Sequence, residues 1–341
     1  MPRRVKKKKS GIRIFVTFLL LVAAAAFVYE SILMSEDQKI FKKDHNDKAP
    51  AYSALKKTSG SSGAGSKPVP SPKKEPAPSV SISPDKLNSP NAILIRLKDQ
   101  TVLMQKNSGE KIYPASMTKM MTAIVAIENS PDLKGEIKLT NAVFQGLYEA
   151  DATMAGFQPG EKVRVIDLLY GAMLPSGAES CIALADQIAG SEQGFVEMMN
   201  KKAAELGMDN THFDNATGLH DENHYTTVKD LAVLLSYALQ NDTFREVFTS
   251  SRHSTQPTNK HPDGITFYST MFKELKNQNI AGGEILGGKT GYTDEAGLCL
   301  ASLAKVGKQE YILVSAGAKG DNHSEQFNIT DALVAYNSIG K

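Results

Sequence analysis

A serine and a lysine three residues apart, Ser116 and Lys119, stand at the start of an apolar run over residues 120–127. Pro114 is placed to open a helix there, and residues i and i+3 share a helix face. The Lys119 amine can therefore lie over the Ser116 hydroxyl. A serine hydroxyl is a weak nucleophile until an adjacent base takes its proton. The pair has the composition of a nucleophile and its base, provided that burial lowers the pKa of the lysine.

The Ser-x-x-Lys spacing alone is a weak signal. Of its occurrences, Ser116/Lys119 best combines entry into an apolar helix with room for a buried amine. The alternative is a helix whose serine caps its first turn and whose lysine extends into solvent. The spacing recurs at Ser53/Lys56, Ser71/Lys74, Ser83/Lys86, Ser108/Lys111, Ser302/Lys305 and Ser338/Lys341.

Two later stretches carry further groups suited to acyl chemistry. Ser176 lies in a turn between two predicted helices, where it could pass a proton or, with Glu179 three residues later, form a capping box. Lys289 stands between glycines on a predicted strand and precedes Thr290. Small neighbours let a substrate backbone lie against such a strand. The alternative at Lys289 is a glycine-rich hairpin with one exposed lysine.

The elements that must position these residues follow from hydrophobic periodicity. Strands at both ends of the body and helices between them predict an α/β (α+β) fold, an antiparallel sheet formed by both chain ends with a mainly helical insert. The predicted strands cover 92–97 and 101–105 as a hairpin, a short segment at 162–165, and 284–289, 298–305 and 311–316. The predicted helices start near 116 and cover 166–173, 178–189, 194–206, 228–240 and 326–336.

The first 90 residues are basic and the rest is acidic. They carry 17 Lys and Arg against 7 Asp and Glu, whereas the remainder carries 22 against 30. A basic start followed by an uncharged run at 14–29 predicts a basic tail and signal anchor or signal peptide over 1–35, with membrane contact through 14–34. Nothing in the acidic body suggests a nucleic-acid surface.

The next segment, 36–88, is rich in Lys, Ser, Gly and Pro and cannot bury a core of its own, which predicts a linker. The folded domain is then expected at 89–341. Its two cysteines, Cys181 and Cys299, lie in apolar surroundings. Such surroundings favour buried thiols over a disulfide.

At these stretches the chain resembles the penicillin-recognising serine enzymes, whose signature is S-x-x-K, then S-D-N or S-x-N, then K-T-G. The match falls at Ser116/Lys119, at Ser176 and at residues 289–291. Within that group the chain is most similar to the low-molecular-mass D-alanyl-D-alanine carboxypeptidases, and stretches 211–219, 224–227 and 289–297 support the narrower match. The resemblance covers about residues 85–340. It departs at Ala178, where the family usually has asparagine.

The resemblance implies serine-type acyl transfer on peptidoglycan stem peptides that end in D-Ala-D-Ala. Ser116 would attack the terminal peptide bond and Lys119 would take its proton. Ser176 would pass a proton to the leaving amine, and Lys289 and Thr290 would hold the terminal carboxylate. The charge of Lys289 is also expected to lower the pKa of Lys119.

The backbone amides of Ser116 and Tyr292 would form the oxyanion hole, with Gly291 completing the substrate-binding strand. β-Lactams would act as covalent inhibitors, and no cofactor or metal is implied. The expected location is the extracytoplasmic face of the bacterial cell membrane, anchored by the N-terminus, or outside the cell if the leader is cleaved.

Three alternatives stay open at this stage. A β-lactamase would need a deacylating glutamate, for which Glu149, Glu161 and Glu179 are unplaced candidates. A binding protein with weakened catalysis would be explained by Ala178. A zinc peptidase would need a ligand cluster, although an irregular loop is the simpler interpretation of the candidates, which lack H-E-x-x-H. Those candidates are His212, Asp214, His220, Asp221 and His224.

Overall fold

A computed structural model describes residues 83–340. Its strands are β1 (Asn91–Arg96), β2 (Thr101–Lys106), β3 (Glu136–Lys138), β4 (Lys162–Arg164), β5 (Arg252–Ser254), β6 (Thr266–Tyr268), β7 (Asn279–Ile280), β8 (Gly283–Gly291), β9 (Leu298–Val306) and β10 (Gln309–Ala318). Its α-helices are α1 (Lys119–Asn129), α2 (Val165–Met173), α3 (Ala178–Ala189), α4 (Glu192–Glu205), α5 (Val228–Ala238), α6 (Asp242–Thr249), α7 (Thr270–Glu274) and α8 (Phe327–Asn337).

The main sheet has six strands in the order β2-β1-β10-β9-β8-β7. All its neighbours pair antiparallel, from Ala92 opposite Ser315 at one side to Gly291 opposite Cys299 at the other. Both ends of the domain therefore build one sheet, and the helices α1 to α6 lie in the insert between them. The fold predicted from the sequence is confirmed.

The central strands are buried on both faces, which explains their nearly continuous apolar sequence. In β1, Ile93 and Ile95 belong to the core formed with the helical insert, whereas Ala92 and Leu94 belong to a second core with α8. Alternate residues of a strand point to opposite faces. The sheet is thus the middle layer of the domain, between the helical insert and α8.

Several predicted boundaries match the structure closely. The predicted hairpin is β1–β2, and the helix predicted at 178–189 is α3. The segment at Ser116 differs, because residues 115–118 form a 3-10 turn and the α-helix begins only at Lys119. Short elements such as α6 and the β5–β6 hairpin were not predicted.

Cys181 and Cys299 are both buried and free, as predicted. Within residues 83–340, no helix is long and apolar enough to cross a membrane. The predicted leader at 1–35, its membrane contact at 14–34 and nearly all of the linker at 36–88 lie outside the described residues.

Candidate active site

The Ser116 turn is held between two backbone segments. Ala115, directly before it, adopts φ +46, a left-handed conformation that is strained for alanine. On one side lies Gly218, where a Cβ atom would come within 2.0 Å of the Ala115 carbonyl oxygen. On the other lies Gly291, where a Cβ atom would come within 3.1 Å of both the Pro114 oxygen and the Ser116 nitrogen. The end of β8 therefore approaches the backbone of Ser116 directly.

The Lys119 side chain is enclosed beneath Ser116. It is 3% exposed, and its Nζ donates to Ser116 Oγ at 2.9 Å and to the Thr217 carbonyl oxygen at 2.5 Å. Burial lowers the pKa of Lys119, and the nearby Cys181 and Glu179 offset that effect in part. The face-sharing predicted from the i, i+3 spacing is therefore present, with the amine in the environment that a lysine base needs.

Lys289 lies on the neighbouring strand β8 and is also fully enclosed. Its Nζ donates to Ser176 Oγ at 3.0 Å and to the Thr290 carbonyl oxygen at 2.8 Å. Burial lowers the pKa of Lys289, and the positive charge of Lys119 lowers it further. The expectation that the charge of Lys289 lowers the pKa of Lys119 needs correction, because burial lowers it and Lys289 is not among the groups that contribute to the shift.

Ser176 does not cap a helix. It adopts φ +71, and the residue at the N-cap position of α3 is Gly177, which has no side chain to accept a hydrogen bond. The capping box predicted with Glu179 is therefore wrong. In this left-handed conformation, Ser176 Oγ accepts a hydrogen bond from Lys289 Nζ on β8.

Glu179 instead ties down the segment before α2. Its Oε1 accepts hydrogen bonds from the backbone N–H groups of Ala155, Gly156 and Phe157. The Ala178 N–H donates to the Thr153 carbonyl oxygen at 2.8 Å in the same region. The start of α3 thus holds Thr153, which lines the cleft.

The cleft has two pockets that meet at Ser116. The first, here called the threonine pocket, is lined by residues that include Ser176, Thr270 and Thr290, and the two threonine hydroxyls lie 2.6 Å apart. The second, here called the histidine pocket, is lined by residues that include Lys119, Ala178, Thr217 and His220. Both pockets share Ser116, Thr153, Tyr292 and Asn322. An extended chain could therefore pass Ser116 with one end in each pocket.

The glutamates that a β-lactamase would need are placed elsewhere. In the described part of the chain, the residues that line the threonine pocket and the histidine pocket do not include Glu149, Glu161 or Glu179. Glu161 is buried against the β5–β6 connection, where it accepts hydrogen bonds from Thr258 Oγ1 and the His261 ring. Glu179 is engaged with the backbone as described above.

The histidine cluster fixes a loop. In the part of the chain that the structure describes, no three His, Cys, Asp or Glu side chains are arranged to hold a metal ion. His224 Nδ1 accepts a hydrogen bond from the Asp214 N–H at 3.0 Å, which leaves Nε2–H to donate to Thr118 Oγ1 at 2.7 Å. Burial lowers the pKa of His224 to about 4. His212 and His220 have other neighbours, the Asn223 carbonyl oxygen and the Tyr113 ring.

The pairing of Ser116 with a buried lysine, and of Ser176 with Lys289, invites comparison with known proteins. A model of the D-alanyl-D-alanine carboxypeptidases, Peptidase_S11, matches residues 78–320. This chain belongs to that family. It is similar to the carboxypeptidase DacF of Bacillus subtilis, with 38% identity over 232 residues that cover 67% of this chain and 57% of the relative. The carboxypeptidase DacC of Escherichia coli is 34% identical over 257 residues, 72% of this chain and 60% of the relative.

The solved structures agree with this membership. The Streptomyces K15 DD-transpeptidase superposes with a TM-score of 0.67 at 27% identity, covering 75% of this chain and 98% of that one. A D-alanyl-D-alanine carboxypeptidase from Mycobacterium tuberculosis gives 0.64 at 25% identity, covering 77% and 94%. The chain spans less than two thirds of the length of the two curated relatives named above.

The residues predicted from the sequence are those that lie in recognisable motifs. Other residues that line the cleft were not predicted. Thr270 and Asn322 were not singled out, and no local pattern marks them. Gly218 lies in the stretch 211–219 that resembles the family, but its close approach to Ala115 was not predicted. A glycine in a sequence can indicate a backbone with positive φ, but it does not show which segment packs against that backbone.

Proposed function

We propose that this protein is a serine-type D-Ala-D-Ala carboxypeptidase that removes the terminal D-Ala from peptidoglycan stem peptides in cell-wall maturation. The observation that carries the proposal is the hydrogen bond from the buried Lys119 amine to Ser116 Oγ, at 2.9 Å. Burial lowers the pKa of that amine, so it can take up a proton from the hydroxyl. Family membership supports the choice of substrate.

In acylation, neutral Lys119 accepts the Ser116 proton while Oγ bonds to the carbonyl carbon of the terminal peptide bond. The oxyanion of the tetrahedral intermediate is held by the backbone N–H groups of Ser116 and Tyr292. This assignment is supported by the close approach of Gly291, which places the end of β8 next to the Ser116 backbone. Such preorganised donors usually provide the largest electrostatic contribution to acyl transfer.

Departure of D-Ala breaks the carbon–nitrogen bond and requires a proton on the leaving amine. Ser176 passes to that amine the proton that Lys119 took from Ser116, and its hydrogen bond with Lys289 fixes the orientation of its hydroxyl. The terminal carboxylate lies in the threonine pocket against Thr290, with Lys289 behind it. Water then hydrolyses the ester on Ser116 and returns the free enzyme.

The same site would react with β-lactams, whose strained amide acylates Ser116 in place of the peptide. The action is extracytoplasmic, because its substrate is the cell wall, and the apolar residues at 14–34, which follow basic residues at 3–13, anchor the protein to the membrane. The sequence pattern of the leader supports the anchor.

The test is release of D-Ala by the full-length protein from an acetylated L-Lys-D-Ala-D-Ala peptide. Wild type is expected to release D-Ala, and Ser116→Ala is expected to release none above background. A chelator should leave the rate unchanged. Release that survives in Ser116→Ala, or that a chelator abolishes, would contradict the proposal.

A further inference from the structure

The carboxylate end of the proposed substrate needs a positive charge, and Lys289 is poorly placed to provide it. The whole side chain is enclosed, with 0% exposure, and its Nζ already donates to Ser176 Oγ and to the Thr290 carbonyl oxygen. Lys289 is also not among the residues that line either pocket of the cleft in the described part of the chain. An arriving carboxylate would therefore meet little attraction from this lysine.

A different lysine, Lys273, lines the threonine pocket and is exposed to solvent. Of the Lys and Arg side chains that the structure describes, those lining the cleft are Lys119, which is buried, and Lys273, which is exposed in the threonine pocket. No carboxylate within residues 83–340 forms an ion pair with Lys273. Its Nζ lies over the exposed Tyr268 ring, 5.9 Å from the ring centre, and a ligand carboxylate would have to compete with this weak contact.

The short helix that carries Lys273 is fixed against the catalytic strand. Thr270, at its start, contacts Thr290 through the two hydroxyls at 2.6 Å, and its N–H donates to the Leu174 carbonyl oxygen at 3.1 Å. Met271 is buried against Gly288 of β8. Lys273 follows Thr270 by three residues, which places both on one face of the helix.

The neighbouring Glu274 opposes this charge only in part. It is the one acidic residue among those that line the threonine pocket in the described part of the chain. It also lines an adjoining hollow beside Leu275 and Lys276, so it stands at the rim between the two. Lys273, in contrast, lines the threonine pocket and does not line the adjoining hollow.

We infer that Lys273 determines specificity for a free terminal carboxylate, its ammonium attracting the anion while the Thr270–Thr290 hydroxyl pair donates its remaining hydrogen to it. The inference rests on the proposed carboxypeptidase function. An exposed ion pair contributes little, so removing the charge should raise KM about three- to fivefold at low salt. The effect should shrink as salt is added, because salt screens exposed charges.

The experiment compares Lys273→Gln, Lys273→Arg and the control Lys276→Gln in the full-length protein. Lys276 lies on the same segment but outside the cleft. On the D-Ala-D-Ala peptide, Lys273→Gln is expected to raise KM with little change in kcat, and Lys273→Arg and Lys276→Gln are expected to behave as wild type. The same peptide with a C-terminal amide, used as a competing inhibitor, should bind wild type and Lys273→Gln equally.

The two possible failures can be told apart. If wild type releases D-Ala and Lys273→Gln has the same KM as Lys276→Gln at low salt, the inference about Lys273 is overturned and the proposed function stands. An equal loss of affinity for the acid and the amide peptide would also overturn it, because the role would then be steric. If wild type releases no D-Ala, the proposed function and the inference fall together.

Discussion

Lys289 Nζ donates to Ser176 Oγ at 3.0 Å, joining two residues that lie 113 positions apart in the chain. One stands on the sheet and the other in the turn between α2 and α3. The contact therefore connects the sheet with the helical insert at the cleft, next to Ser116. It also gives Ser176 a donor that fixes its hydroxyl.

Replacing Ser176 by alanine should remove the proton path to the leaving amine. We expect kcat/KM for D-Ala release to fall about 100- to 10,000-fold, the usual range for loss of a positioned acid–base group. The matched control is Ser180→Ala, one turn further along the same segment. Ser180 Oγ is buried and has no hydrogen-bond partner among the described residues, so its loss should change the rate little. Equal rates of D-Ala release in the two variants would exclude proton transfer by Ser176 to the leaving amine.

The pH dependence of kcat/KM should report the lowered pKa of Lys119. The active form has the amine neutral, so the rate rises as pH rises through that pKa. Because burial lowers it, the rise should be centred below 10.5, the ordinary lysine value. Lys119→Arg keeps a positive charge that cannot be removed near neutral pH and should be inactive. An active Lys119→Arg variant would show that Lys119 is not the base.

Gly218 should tolerate no side chain, because a Cβ atom would lie 2.0 Å from the Ala115 carbonyl oxygen and would displace the Ser116 turn. We expect Gly218→Ala to lower kcat/KM about 100-fold, the order of loss caused by a displacement of about 1 Å at a reacting group. Gly207→Ala is the control, since Gly207 also has positive φ, +71, but no atom lies within 4 Å of the position that an added Cβ would take. It should cost only about 1–2 kcal/mol of stability. Full activity in Gly218→Ala would contradict the packing argument.

His224 should make the protein less stable in mild acid. Folding lowers its pKa from 6.5 to about 4, so between these values the unfolded chain binds more protons and the free energy of unfolding falls as pH falls. The full effect is about 3 kcal/mol, and it levels off below the folded pKa. Denaturant unfolding of wild type and His224→Gln from pH 7 to 4.5 measures it. The variant should be less stable at pH 7 and show a shallower pH slope, whereas an unchanged slope would contradict the assignment.

The parts of the fold that sequence could predict are those encoded by local periodicity. The continuous apolar run of β1 and the helix at Ala178–Ala189 appear in the structure where the pattern placed them. The Ser116–Lys119 contact was predictable for the same reason, because it depends on the geometry of a single turn.

Contacts between distant segments could not be read from local pattern. At Ser176, local chemistry also allowed a capping box, but the structure pairs that hydroxyl with Lys289, and Glu179 accepts hydrogen bonds from the backbone near Ala155. The charge of Lys289 was expected to lower the pKa of Lys119, but burial by the rest of the fold is what lowers it. Short elements such as α6 were missed because their patterns are too brief to separate from loops.

The central claim is that Ser116 is the nucleophile. The most direct measurement is intact-mass spectrometry of the full-length protein after incubation with benzylpenicillin, followed by peptide mapping, in wild type and Ser116→Ala. The account predicts one penicilloyl adduct on wild type, located on Ser116, and none on the variant. An adduct at another residue, or one that persists in Ser116→Ala, would contradict it.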